Sequence, residues 1–198
     1  MKIAVISPHL DDAVFSVAEH MLSRPDDQFC IVTPCGGIDG PDDAYRAKYI
    51  RLHREHRDVL MATGWGATDG AFLDDAAGPG GLRNVQPWLE HVLQESGRDL
   101  FDEWWVPFGI HHPDHIAVHA ACARIGRPSA RYVLYEELPY RVLYPPMILP
   151  PIALQGEMDG YDPSMLERKR ELCRMYVSQI GPEVERCLYV PERLWRSR

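Results

Sequence analysis

Short unbroken apolar runs alternate along this chain with stretches where apolar residues recur every three or four positions. That alternation predicts an α/β fold with a mainly parallel sheet. Ile3–Ser7 reads as a first buried strand. From Asp11 the spacing changes, and Val14, Val17, Ala18, Met21 and Leu22 mark a helix. Gln28–Pro34 reads as a second strand ending in a Gly36-Gly37 turn. A polar loop then leads to Asp42 and Asp43, both suited to cap a long helix that runs to about Ala62 and stops at Gly64.

The second half is patterned similarly. Residues 66–80 are rich in Gly, Asp and Ala and read as a loop on the active-site side. Leu82, Val85, Trp88, Leu89, Val92 and Leu93 predict a helix, with Pro87 marking its first turn. Leu100–Pro107 reads as a buried strand, Ile116–Ile125 as a helix and Arg131–Glu136 as a strand. The five prolines in 139–151 predict an irregular stretch. Ser164-x-x-Glu167 resembles a capping box for a helix to about Val177, and Cys187–Val190 reads as a last strand.

Composition narrows the function. The 198 residues suffice for one domain with a full core, and no repeat or second domain is evident. A net charge of −8 repels a phosphate backbone, so nucleic-acid binding is not expected. The basic cluster Arg168, Lys169 and Arg170 reads as a solvated helix face. Cys30, Cys35, Cys122, Cys173 and Cys187 are scattered, with no C-x-x-C pair, which predicts buried thiols in a reducing compartment. The first apolar run stops at Pro8, too short for a signal peptide or a membrane span, so a cytoplasmic protein is expected.

Two clusters carry the candidate chemistry. Ser7-Pro8-His9-Leu10-Asp11-Asp12 lies between the first strand and the first helix, where ligands bind in open α/β sheets. Two adjacent carboxylates and an imidazole suit a cation, although Asp11 or Asp12 could equally cap the helix with His9 on the surface. His111-His112-Pro113-Asp114-His115 follows a buried strand, with Pro113 suited to a first helical turn. Histidines and carboxylates are the ligand types of a catalytic zinc site. His115 and His119 are also four apart on a helix, a weaker pairing. Capping alone explains two such clusters poorly.

At these motifs the sequence resembles the LmbE/PIG-L family, which includes N-acetylglucosaminyl-phosphatidylinositol deacetylases and related zinc-dependent amide hydrolases. The family pattern P-H-P-D-D-E appears as Pro8-His9-Leu10-Asp11-Asp12-Ala13, and H-P-D-H as His112-Pro113-Asp114-His115. The Arg51…Glu55…Leu60…Gly64 helix and Lys169 with Tyr176-Val177-Ser178-Gln179 resemble later family features, so the likeness runs from about residue 2 to residue 180. It implies one Rossmann-like domain over 1–198, with a metal site at the carboxyl ends of the strands. His9, Asp12 and His115 would hold Zn²⁺ or another divalent metal. Asp11 would act as general base, a protonated His112 would steady the oxyanion, and Asp114 would orient His112. Two positions depart from the pattern: Leu10 replaces its second proline and Ala13 its final glutamate. Ile110 stands where some relatives carry a tyrosine.

The activity so implied is removal of an acyl group, acetyl in the simplest case, from an N-acylated amino sugar such as an N-acetylglucosamine derivative. An amidase of thiol–sugar conjugates is the alternative enzyme, and a non-catalytic sugar- or amine-binding protein is the alternative of another class. No G-x-G-x-x-G follows the first strand, which argues against a nicotinamide cofactor. Arg51, Asp74 and Asp75 are candidate substrate binders. Arg51 with Glu55 as a surface pair and the aspartates in a solvated loop explain them equally well. Lys169 and Gln179 suit a structural or a functional role. Trp104 and Trp105 read as core packing rather than sugar stacking. The chain is short for the family, which suggests a small substrate, an open site or a pocket completed by a second copy.

Overall fold

The computed structural model describes residues 1–73, 85–95, 101–125, 131–144, 154–157, 162 and 164–197. The described strands form one seven-stranded sheet in the order β3-β2-β1-β4-β5-β7-β6. Strands β1 (Lys2–Ile6), β2 (Gln28–Thr33), β3 (Gly66–Asp69), β4 (Glu103–Pro107) and β5 (Arg131–Tyr135) pair in parallel. Strand β7 (Leu194–Ser197) returns antiparallel beside β5, and β6 (Leu154–Glu157) pairs antiparallel with β7.

Period-two alternation along the buried strands feeds two cores, one on each face of the sheet. Ile3, Val5, Trp105, Val133 and Tyr135 point to the face covered by α1 (Asp12–Leu22), α2 (Asp43–Thr63) and α6 (Met165–Arg174). Ala4, Ile6, Trp104, Val106 and Leu134 point to the other, covered by α3 (Val85–Glu90) and α4 (Pro113–Ile125). Both tryptophans are therefore core residues, as the sequence reading expected.

The strand order places the site. The chain runs outward from β1 to β2 and β3, then crosses back to β4 on the other side of β1. Ligands in such sheets bind beyond the strand ends at this reversal. The loop after β1 and the first residue of α1 carry His9 to Asp12, and the loop after β4 with the first turn of α4 carries His111 to His115.

Several local expectations hold. Asp42 caps α2 by accepting from the Tyr45 amide at 2.8 Å, and Gly64 ends it in the left-handed conformation with φ of 75°. Pro113 opens α4. All five cysteines are free thiols and four are buried as expected, whereas Cys30 is half-buried. Among the described residues, no helix is long and apolar enough to cross a membrane.

Other expectations are corrected. The first part of the 66–80 loop is β3, an edge strand whose four residues are all exposed and so lack an apolar signature. Of the helix expected over 82–93, the described part is α3 from Val85, followed by a π-helical turn at His91–Glu95, while residues 82–84 lie outside the described residues. Tyr140–Leu143, within the irregular stretch, is a single helical turn, α5. Ser164 makes no side-chain cap bond, and α6 ends at Arg174 rather than near Val177. Cys187 closes a short helix, α7 (Pro182–Cys187), so the last strand is β7 and not Cys187–Val190. Lys169 is not on a solvated face, since its side chain is fully buried.

Candidate metal centre and its cavity

The first-strand loop turns because its own polar groups hold it. Ser7 Oγ accepts from the Ala13 amide at 2.9 Å and donates to the His9 carbonyl at 2.5 Å. Asp12 Oδ2 accepts from the His9 amide at 2.7 Å. Asp11 occupies the N-cap position of α1, yet its side chain makes no cap bond. Capping therefore explains neither carboxylate.

The second loop reverses at two residues with positive φ, Gly109 at 83° and His111 at 60°. A Cβ on Gly109 would lie 3.0 Å from the His119 Cβ, so glycine fits both the angle and the space. His119 faces away from the site and donates from Nδ1 to the Pro107 carbonyl at 2.8 Å. His111 stacks on Tyr144, with ring centroids 3.5 Å apart.

The two loops bring His9, Asp12 and His115 together across more than a hundred residues. Asp12 Oδ2 lies 3.1 Å from His9 Nδ1 and 3.1 Å from His115 Nε2, and the two nitrogens are 3.3 Å apart. Three ligands bound at about 2.0–2.1 Å around a tetrahedral ion lie about 3.3–3.4 Å from one another, so the donor triangle fits zinc or a similar cation. Among the described residues, two further groupings have ligand atoms within 4.8 Å of one another: His9 with His112 and His115, and His9 with Cys35 and Asp114.

The ring nitrogens pointing away from this triangle also meet carboxylates. His9 Nε2 is 3.1 Å from Asp114 Oδ2, and His115 Nδ1 is 3.2 Å from Glu137 Oε1. The Asp114 carboxylate thus approaches His9 more closely than His112, whose Nδ1 lies 4.0 Å away. That differs from the expected pairing of Asp114 with His112. His112 Nδ1 also accepts from the Asp114 backbone amide at 3.2 Å.

Electrostatics separate the neighbouring carboxylates. Burial and then the adjacent Asp12 charge push the Asp11 carboxyl up to about 7. Burial opposes ionisation of Asp12 too, but the His115 and His9 rings beside it outweigh burial and hold it well below the usual range. Burial disfavours charge on His115, yet Asp12 raises it to about 9. Titratable neighbours driven apart in this way are characteristic of reactive sites.

A cavity of about 300 Å³ opens beside the triangle. His9, Asp11, Asp12 and His112 form its chemically reactive lining, and Phe15, Tyr49, Leu52, Pro139, Tyr140 and Val184 supply apolar surface. Lys48 and Gln179 complete it. Arg51 is exposed and does not line it, whereas Lys48, Tyr49 and Leu52 of α2 do. Nor do Arg51 and Glu55 pair, because Glu55 is buried and accepts from the Ser178 amide at 3.0 Å and from Ser178 Oγ. Asp74 and Asp75 lie outside the described residues. Sequence reasoning missed Glu137, although a Glu136-Glu137 pair directly after a buried strand was an available signal. It also missed Lys48, which nothing in the local pattern marks.

No family model matches the chain, and no curated protein matches it in sequence. Solved structures do match in fold. The zinc-inhibited form of teicoplanin deacetylase Orf2 aligns with a TM-score of 0.80 at 18% identity, over 99% of this chain and 97% of that one. The A40926 pseudoaglycone deacetylase Dbv21 aligns at 0.79 and 22% identity, over 98% and 96%. N,N'-diacetylchitobiose deacetylase from Pyrococcus horikoshii aligns at 0.65 and 16% identity, over 92% and 72%. The chain shares the fold of these deacetylases.

Proposed function

We propose that this chain is a divalent-metal-dependent N-deacetylase acting on a small amino-sugar-like amide. The observation that carries this reading is the His9–Asp12–His115 donor triangle, with 3.1–3.3 Å edges, beside a cavity that Asp11 and His112 also line. The fold shared with three deacetylases and the two motifs resembling the LmbE/PIG-L family support the same conclusion.

His9 Nδ1, Asp12 Oδ2 and His115 Nε2 would hold the cation. When bound, zinc or a similar ion acidifies water and polarises an amide carbonyl. Asp11, poised near neutrality, takes a proton from the attacking water as its oxygen adds to the carbonyl carbon. The Nε2–H of His112 donates to the oxyanion that develops there. Asp11 then returns its proton to the nitrogen as the C–N bond breaks, leaving a carboxylate and a free amine. Phe15, Tyr49 and Leu52 exclude water from one wall of the cavity. Its volume suits a single N-acyl sugar ring.

The test is metal content of the purified protein beside His115→Ala, followed by acetate release from a panel of N-acetylated amino sugars. About one zinc per chain, lost in the variant, with acetate released by wild type only, is the expected result. A wild-type protein that takes up no divalent metal when supplied with it would overturn the proposal.

A further inference from the structure

Glu137 lies just past the end of β5, and its side chain is entirely shielded from solvent. Four donors face its carboxylate. Oε1 accepts from the amides of Gly109 at 2.7 Å and Ile110 at 3.0 Å, and from His115 Nδ1 at 3.2 Å. Oε2 accepts from the Phe108 amide at 3.1 Å. Three consecutive amides of the loop leaving β4 and one imidazole of the donor triangle therefore converge on one side chain.

We propose that Glu137 is a positioning residue of the metal site, fixing both the tautomer of His115 and the path of the loop that carries His112. This rests on the metal-site reading above. A proton held on Nδ1 by Glu137 leaves Nε2, 3.1 Å from Asp12 Oδ2 and 3.3 Å from His9 Nδ1, as the nitrogen that would give up its proton to a cation. The three amide bonds tie the same carboxylate to the start of the turn at Gly109 and His111. A carboxylate, which only accepts, matches an all-donor environment. A carboxamide would turn an N–H toward at least one of these donors. Glutamine is therefore nearly isosteric here but electrostatically wrong.

The experiment measures zinc affinity by competition with a chromogenic chelator, for wild type and Glu137→Gln, together with thermal unfolding of each without zinc. The expected result is zinc affinity about 10- to 100-fold weaker in the variant while it remains folded. A folded Glu137→Gln protein that binds zinc as tightly as wild type overturns this inference alone. A wild-type protein that binds no zinc overturns the metal-site reading and this inference with it. Ring-nitrogen NMR of zinc-loaded wild type gives a check independent of the variant's folding. Coordination of His115 through Nε2 with a slowly exchanging Nδ1 proton is expected, and coordination through Nδ1 would overturn the proposal.

Discussion

The phenol of Tyr176 donates to the Leu10 carbonyl at 3.0 Å, joining parts of the chain 166 residues apart. Its single proton is committed there, so His56 Nδ1, 2.7 Å from the same oxygen, must donate. The turn carrying Asp11 and Asp12 is thus pinned from beneath by a His56–Tyr176 relay. His56 Nε2 is buried with no hydrogen-bond partner.

That relay makes stability pH-dependent. Burial, and then the neighbouring His53, depress His56 to about 4, against an ordinary value near 6.5. Above the ordinary value the ring is neutral both folded and unfolded, and its contribution is constant. Between there and about pH 4 only the unfolded chain takes up the proton, so stability falls as pH falls, by about 3 kcal/mol in all. Urea unfolding across this range should show the loss, and His56→Gln should flatten it. An unchanged slope in the variant would assign the acid sensitivity to other groups.

Asp11→Asn should leave the metal in place and remove the base. Because Asp11 makes no cap bond, the amide costs α1 little. Turnover should fall about 10²- to 10⁴-fold with zinc stoichiometry unchanged. Metal analysis and initial rates on the same preparation separate this from loss of the site.

Lys169 is buried between two carboxylates, 3.1 Å from Glu19 Oε1 and 3.0 Å from Glu192 Oε1. Glu192 also binds His20 Nδ1 at 2.8 Å. Removing the ammonium leaves two buried acids facing each other. Lys169→Met should therefore destabilise by about 3–5 kcal/mol, measured by urea midpoint. A loss below about 1 kcal/mol would mean that water reaches the cluster.

Arg51→Ala should leave stability within about 0.5 kcal/mol and leave turnover unaltered, since the side chain is exposed and away from the cavity. Lys48→Met, one turn earlier on α2, should raise KM more than it lowers kcat, because Lys48 lines the cavity apart from the donor triangle. Steady-state kinetics of the two variants side by side would reveal a reversed order at once.

How far the sequence could be read depends on the range of the forces involved. Strands β1, β4 and β5 were legible because burial on both faces demands continuous apolar residues. The long helix α2 was legible from its Asp42 cap and Gly64 stop, which are local backbone chemistry. Strand β3 left no mark, because its place is set by pairing with β2 and its side chains are exposed. Strand β7 was misplaced to Cys187–Val190, since a four-residue strand held between β5 and β6 is decided by what it pairs with. The expected Ser164 cap failed because a capping pattern permits a hydrogen bond without requiring one.

The sequence by itself determined which residue types stand at the ends of β1 and β4, and so nominated His9, Asp11, Asp12, His112 and His115. Tertiary structure alone decided the partners. Asp114 turns to His9 because the α4 helix start aims its carboxylate across the crevice, at 3.1 Å. Glu137 serves His115 because β5 ends beside β4 in the sheet. Lys48 rather than Arg51 lines the cavity, although the two basic residues stand one turn apart on α2, a spacing at which the sequence favours neither. Local chemistry is written in the sequence, whereas orientation across elements appears only once the sheet has fixed their relative positions.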